Sequence, residues 1–81
     1  MRLDKFLKVS RLIKRRTVAA DVCESSHVKI NGNFAKPGKT IREGDIITII
    51  YQNKEVKAKI LKVPEGNVSI NEAHLLYEII E

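Results

Sequence analysis

Residues 28–36 read Val28-Lys29-Ile30-Asn31-Gly32-Asn33-Phe34-Ala35-Lys36, and this stretch marks a change from helical to strand periodicity. The Asn31-Gly32 pair directly follows an alternating apolar-polar-apolar segment. Both central residues of the tightest hairpin turn need a positive φ, which asparagine and glycine accept more readily than other residues. The stretch therefore predicts a β-hairpin with a two-residue turn.

The chain before this hairpin has helical periodicity, with one apolar side and one cationic side. We expect a first helix that ends near residues 9–11 and, after a short link, a second helix over about residues 16–25. The apolar or small side of the first helix consists of Leu3, Phe6, Leu7 and Ser10. The apolar stripe of the second consists of Val18, Ala19, Val22 and Cys23.

The chain after the hairpin has the composition of strands. A β-branched run over residues 46–51 predicts a buried strand, and apolar residues that alternate with lysines over 56–60 predict a strand with one wet face. Residues 75–80 predict a last strand, with a short helix from Asn71 as the alternative. We therefore predict an α+β fold in which two N-terminal helices pack on a small, mostly antiparallel sheet.

Length and composition limit what the chain can be. Its 81 residues predict a single domain over 1–81 with one modest core and no separate catalytic domain. The single cysteine, Cys23, cannot form an internal disulfide, which favours a reducing compartment. The charged first five residues and the lack of a long apolar run argue against a signal peptide or a membrane helix. We expect a cytoplasmic protein with no membrane partner.

Positive charge is concentrated in the first third of the chain. Residues 1–27 hold seven basic and three acidic side chains, so four of the five net charges lie there. One-sided basic charge is typical of proteins that bind polyanions, although a solvated face would have the same composition. The Lys14-Arg15-Arg16 run stands at the start of the second helix, where cations are unfavourable unless an anion such as phosphate binds there.

Catalytic chemistry finds little support in the sequence. His27 and His74 lie far apart, and no nucleophile motif or phosphate-binding glycine loop is present. Cys23 lies on an apolar stripe, where a core role is favoured over a reactive thiol. We predict no enzymatic activity, no metal and no cofactor. With two Phe, two Tyr and no Trp, platforms for base stacking are scarce, which favours recognition of structured RNA through its backbone and shape.

The chain resembles the S-four RNA-binding domain, which is named after ribosomal small-subunit protein four and is also called the αL motif. The residues that carry this resemblance are 1–17, 28–33, 36–39 and Gly44-Asp45. The resemblance covers the helix-loop-helix and hairpin, about residues 1–50, and leaves additional strands over about 51–81. Among stand-alone members, the chain is most similar to the family of bacterial ribosome-associated quality-control P proteins. That family is related to the small heat-shock ribosome-recycling proteins.

The resemblance implies a non-enzymatic factor that binds large-subunit rRNA and tRNA on large ribosomal subunits obstructed by peptidyl-tRNA. It also implies cooperation with the quality-control H factor in adding alanine tails to stalled nascent chains. We expect the protein to be a monomer. Two alternatives remain open. One is a heat-shock-type ribosome-recycling factor, and the other is a basic protein-interaction adaptor in which Lys57, Lys59 and Lys62 face an acidic partner.

The resemblance also implies where RNA is bound. The matching positions in this chain are Arg2, Asp4, Lys5, Lys8, Arg11, Arg15 and Arg16. Arg15 stands where many members of the wider domain family have a serine or threonine that caps the second helix. The basic run adds Lys14, and the place of the hairpin adds Lys29, Asn31, Lys36 and Lys39 as candidate RNA-binding residues, although each of these four alone is as expected for an ordinary solvated residue.

Overall fold

The computed structural model of the chain describes residues 1–80. Three helices and five strands follow the order α1 (Leu3–Val9), α2 (Arg16–Glu24), β1 (Val28–Ile30), β2 (Asn33–Phe34), β3 (Ile46–Tyr51), β4 (Lys54–Ile60), α3 (Ile70–Ala73) and β5 (Tyr77–Ile79). This confirms the predicted α+β class, and both the short helix and the last strand are present near the C-terminus. Within residues 1–80, no helix has the length and apolar character needed to cross a bilayer.

The five strands form one antiparallel sheet in the order β2-β1-β3-β4-β5. The hairpin between β1 and β2 turns through Asn31 and Gly32, whose φ angles are 51° and 88°. The two-residue turn predicted from Asn-Gly is therefore confirmed, since both residues have a positive φ. The longest ladder joins β3 to β4, and β2 and β5 are the two edge strands.

The core lies between the N-terminal helices and one face of the sheet. Its largest fully buried side chains include Phe6, Leu3, Leu7, Ile41, Ile47, Ile49, Ile60 and Val28. Because side chains alternate along a strand, Lys29 in β1 and Thr48 in β3 belong to the opposite face, where Thr48 is nevertheless only 5% exposed. The two N-terminal helices thus share a core with the face of the sheet that includes Val28, Ile47 and Ile49.

The predicted apolar stripe of α2 is wrong at Val18, which is 44% exposed. Ala19 and Cys23 are buried, and they lie one above the other because they are four residues apart. With about 3.6 residues per turn, Val18 is rotated well away from the line joining Ala19 and Cys23. Because α2 contacts the core along the line of Ala19 and Cys23, Val18 has no core surface to pack against.

Residues 37–41 run beside the first four residues, a pairing that no local pattern predicts. The amide of Leu3 donates to the Lys39 carbonyl at 2.8 Å, and the amide of Asp4 donates to the Pro37 carbonyl at 3.1 Å. In the other direction, the amide of Ile41 donates to the Met1 carbonyl at 3.0 Å. The carbonyls of this segment satisfy amides at the start of α1, where the side chain of the N-cap residue, Arg2, forms no capping hydrogen bond.

Candidate RNA-binding surface

A buried carboxylate joins two arginines that lie at the starts of the two N-terminal helices. Asp4 is only 4% exposed. Its Oδ1 atom lies 3.2 Å from Arg2 Nε and 3.5 Å from Arg16 Nη2, and its Oδ2 atom accepts a hydrogen bond from Arg2 Nη2 at 3.3 Å. We call Arg2, Asp4 and Arg16 the arginine cluster. Asp4 brings together two guanidinium groups that are 14 residues apart in sequence.

Both guanidinium groups of the arginine cluster remain accessible to a ligand. The side chains of Arg2 and Arg16 are 57% and 48% exposed, against 6% for Asp4. A buried carboxylate is costly without partners, and here the two cations and the Lys5 amide, at 2.8 Å, supply them. Two positive charges share one negative charge, so the cluster keeps a net positive charge. Guanidinium forks of this kind suit the oxygens of phosphate groups.

The start of α2 adds a second cationic feature. Arg15 occupies the N-cap position and makes no side-chain hydrogen bond to the first turn, which contains no acidic residue. Lys14, Arg15 and Arg16 are all exposed. Free amides at a helix start have partial positive charge, and the neighbouring cations add to it. An anion at this helix start would interact favourably with both the amides and the cations, and Arg15 stands there in place of a neutral cap.

The other cations of the first helix lie along and just beyond it. Lys5 and Lys8 are half-buried, whereas Arg11 is exposed. The backbone of Arg11 has a φ of 62°, a conformation in which glycine is usually found. Its amide donates to the Lys8 carbonyl at 3.0 Å and so closes the end of α1. An L-residue in this conformation costs about 1–2 kcal/mol. Arginine nevertheless occupies this position, where the backbone favours glycine.

The candidate residues after β2 lie next to the helices. The carbonyl of Lys39 is bonded to the start of α1, as described above, and Lys36 Nζ lies 3.9 Å from Glu24 Oε2 near the end of α2. Gly38 lies against the arginine cluster, since a Cβ atom placed on it would stand 3.7 Å from Arg2 Cζ. The fold thus places this segment beside Arg2.

The two remaining hairpin candidates, Lys29 and Asn31, do not join the arginine cluster. Lys29 belongs to the face of the sheet opposite the helices, where its Nζ atom lies 4.9 Å from the centroid of the Phe34 ring. The side chain of Asn31 is already used within the fold. It donates to Asp45 Oδ1 at 3.1 Å and accepts from the Ile46 amide at 2.9 Å. Asn31 therefore holds the hairpin turn against the start of β3.

A surface groove along β2 is a feature that the motifs did not indicate. It has a volume of about 390 Å³, and Asn33 and Phe34 lie in its lining together with Lys36 and Lys39. Phe34 is 56% exposed. The signal that could have identified it is an aromatic residue between lysines in a hairpin, a pattern also compatible with a buried strand residue.

The lysines of β4 lie on the sheet, away from the arginine cluster. Lys57 is paired in register with Thr48, and Lys59 with Ile46. Alternation along β4 puts both lysines on the face opposite the buried Ala58 and Ile60. Neither lysine forms an ion pair with a carboxylate among residues 1–80.

The thiol of Cys23 is part of the core, as its place on the apolar stripe predicts. It is 2% exposed. Burial, with smaller contributions from the negative charges of Asp4 and Glu24, raises the pKa of the Cys23 thiol to about 11. A thiol of this kind stays protonated at neutral pH and is a poor nucleophile.

The S4 domain matches residues 1–47, the part of the chain that contains the helix-loop-helix and the hairpin. The chain is 53% identical over 79 residues to the RQC P-site tRNA stabilizing factor of Halalkalibacterium halodurans, covering 98% of this chain and 89% of the relative. It is 49% identical over 81 residues to the protein of that name from Listeria monocytogenes, covering 100% and 87%. The chain belongs to the S4-domain family and, within it, to the family of RQC P-site tRNA stabilizing factors.

Among solved structures, the fold is similar to that of Vibrio cholerae Heat Shock Protein 15, which is described as trimeric. The TM-score is 0.88 at 34% sequence identity, and the match covers 99% of this chain and 81% of that chain. These comparisons confirm the resemblance based on the opening Arg-Leu-Asp-Lys and on Asn-Gly. They also confirm the relation to the heat-shock group.

Proposed function

We propose that the chain is a non-enzymatic RNA-binding factor of ribosome-associated quality control. It binds rRNA and tRNA on large ribosomal subunits obstructed by peptidyl-tRNA, and it acts in the cytoplasm. Together with the quality-control H factor, it supports alanine tailing of stalled nascent chains. The S4 domain over residues 1–47 supports RNA binding, and the name of the relatives supports a tRNA ligand.

The observation that carries this proposal is the arginine cluster. RNA helices have a deep and narrow major groove, so proteins recognise them largely through phosphates, 2′-hydroxyls and shape. Two guanidinium groups held on one buried carboxylate have a defined separation before RNA arrives. Less side-chain freedom is then lost on binding than with two independent cations. Arg2 and Arg16 contact phosphates in this proposal, and Asp4 is a positioning residue.

The proposed surface extends from the arginine cluster in two directions. Cations of the helix-loop-helix continue it on one side, and the segment after β2 continues it on the other. Its further members are Lys5, Lys8, Arg11, Lys14, Arg15, Lys36 and Lys39, with Asn31 supporting the turn and Lys29 on the opposite face of the sheet. If three to five phosphates are neutralised, the log–log slope of affinity against salt is roughly −2 to −4.

A ribosome gradient tests the proposal with one variant and one matched control. Arg16→Ala removes one guanidinium but leaves Asp4 paired with Arg2, so we expect the fold to survive. Lys59→Ala removes one positive charge from the opposite face of the sheet. After thermal melts confirm that both are folded, Arg16→Ala should leave the large-subunit fraction while Lys59→Ala remains in it. Equal retention of both variants, or loss of Lys59→Ala alone, would contradict the proposal and favour the adaptor.

A heat-shock-type recycling role is the second candidate, because the fold is so similar to the Vibrio cholerae protein. A reconstituted reaction with obstructed large subunits and the quality-control H factor separates the two candidates. Alanine addition that depends on this protein supports tailing. Alanine addition that is equal with and without it favours recycling. Light scattering of the purified protein tests the expected monomer, and a trimer mass would contradict that expectation.

A further inference from the structure

The groove along β2 contains side chains that the arginine cluster does not use. Its volume of about 390 Å³ lies in the range of small-molecule pockets, roughly 300–1,000 Å³, and is large enough for one nucleotide. Because β2 is an edge strand of the sheet, no further strand covers it. The lining combines an aromatic ring, side-chain amides and two lysines.

Phe34 gives this groove a stacking surface. It is 56% exposed, more than any other aromatic side chain among residues 1–80, whereas Phe6 is fully buried. The Lys29 ammonium lies 4.9 Å from the ring centroid, within the range of a cation–π contact. That contact favours one orientation of the ring on the sheet. An oriented and exposed ring can stack with any nucleobase, since every base has a π-face.

Lys36 and Lys39 give the groove the charge that a nucleotide requires. Lys36 has an ion-pair partner in Glu24, but the Nζ–Oε2 distance is 3.9 Å and the two side chains are 75% and 61% exposed. Such a surface pair contributes little and yields easily to a phosphate. The segment that contains both lysines also packs against Arg2 through Gly38. Residues 36–39 therefore connect the arginine cluster to the sheet edge where the groove lies.

We infer that the groove binds one unpaired RNA nucleotide, with its base stacked on Phe34 and its flanking phosphates held by Lys36 and Lys39. This inference rests on the proposed RNA-binding function and adds a single-stranded contact to it. Bases in an RNA duplex are stacked inside the helix, whereas a bulged or loop base is free to reach the ring. Phe34 is thus an exposed aromatic residue that lies beside two lysines in one groove.

Two RNA probes test the inference by their affinities. One is a stem-loop with a single bulged adenosine, and the other is the same stem-loop with an abasic site at the bulge. Both have the same phosphates, so the difference in affinity reports the base alone. The wild-type protein should bind the adenosine probe about fivefold or more tightly than the abasic probe. Phe34→Leu, which keeps an apolar side chain, should bind the two probes equally.

Tyr51→Leu is the matched control for Phe34→Leu. Tyr51 is 45% exposed and lies at the far end of β3 from Ile46, the residue bonded to the hairpin turn. This variant should keep the preference for the adenosine probe. Because the chain has no tryptophan, Phe34→Trp also supplies a unique fluorophore. The adenosine probe should quench its emission, and the abasic probe should not.

Arg16→Ala distinguishes failure of this inference from failure of the proposed function. Equal binding of both probes by the wild type, or an unchanged preference in Phe34→Leu, overturns the stacking contact. If Arg16→Ala still weakens both probes in that case, RNA binding at the arginine cluster stands without it. If the wild type binds neither probe, both the inference and the proposed function are overturned.

Discussion

The helix-loop-helix segment, residues 1–27, and the β4–β5 segment, residues 54–80, both present cations to solvent, but only the first organises them. In the helix-loop-helix, the buried Asp4 holds two arginines at hydrogen-bonding distance. In β4, Lys57 and Lys59 stand on a strand with no carboxylate partner among residues 1–80. The difference indicates that a buried counter-charge, more than the number of cations, gives the guanidinium groups of a basic face a fixed arrangement.

The two segments also differ in how much apolar surface they bury. Leu3, Phe6 and Leu7 of α1 are fully buried. By contrast, Ile70 and Leu75 are 67% and 60% exposed, and Ile79 in the edge strand β5 is 53% exposed. The cationic segment thus also supplies much of the core, so its arginines stand on the more firmly packed of the two segments.

The largest expected effect concerns the difference in packing between the two segments, measured as the free energy of unfolding. Phe6→Ala should lower the free energy of unfolding by about 3–5 kcal/mol, because it removes a fully buried ring from the core. A chain of this size has roughly 4–12 kcal/mol in total, so the variant should be close to unfolding. Ile79→Ala should cost less than about 1 kcal/mol, since half of its side chain is already in water. Urea unfolding followed by circular dichroism measures both. Similar losses for the two variants would show that the segments are equally packed.

Asp4→Asn distinguishes two effects of Asp4 on RNA affinity, namely its positioning of the two arginines and its negative charge. The change raises the net charge by one, so simple attraction predicts tighter RNA binding. Loss of the shared counter-charge predicts weaker binding, by about threefold to tenfold if roughly 1 kcal/mol of organisation is lost. Filter binding at constant salt shows whether RNA affinity rises or falls. Glu78→Gln in β5 is the control for the added positive charge. Tighter binding by Asp4→Asn would mean that the carboxylate does not position the arginines.

Arg11→Gly tests whether backbone strain at the end of α1 is retained for RNA binding. Glycine relieves the positive φ of 62° but gains freedom in the unfolded chain, so stability should change by no more than about 1 kcal/mol, in the stabilising direction. RNA affinity should fall, and the salt slope should become shallower by about one unit if one phosphate contact is lost. Unchanged RNA affinity and an unchanged salt slope would show that Arg11 is not part of the proposed RNA-binding surface. Gln52→Gly, at a φ of 45° in the turn between β3 and β4, is the matched backbone control.

The smallest effect concerns Cys23 at high pH. Its folded-state pKa, raised to about 11 by burial, lies above that of an exposed thiol. The unfolded chain therefore loses this proton first, and the contribution to stability, complete below the ordinary thiol pKa of about 8.5, is lost as pH rises through 11. Urea unfolding between pH 8 and pH 11 should show a steeper decline for the wild type than for Cys23→Ala. If the free energies of unfolding of the two proteins fell in parallel with pH, the Cys23 thiol would not contribute to the pH dependence of stability.

Local sequence signals determined the elements. Asn31-Gly32 specified the hairpin turn because few residues accept a positive φ at two successive positions. Periodicity specified α1, α2 and β4, since an apolar face must repeat with the period of its backbone. The β-branched composition of residues 46–51 specified β3. The same signals failed at Val18, because periodicity gives the direction of a side chain but not the width of the surface that it meets. The family resemblance supplied Asp4, for which no local pattern indicated a role.

Tertiary structure alone decided how these elements make a surface. The sequence contains 15 basic residues, and no local rule selects Arg2 and Arg16 as the two that share one carboxylate. Their meeting depends on how α1 packs against α2, and the placing of Lys39 depends on residues 37–41 pairing with the N-terminus. Turns and helix faces follow from neighbours in sequence, whose interactions act within a few residues. A charge cluster or a groove depends on groups that only the closed core brings within a few ångströms of one another.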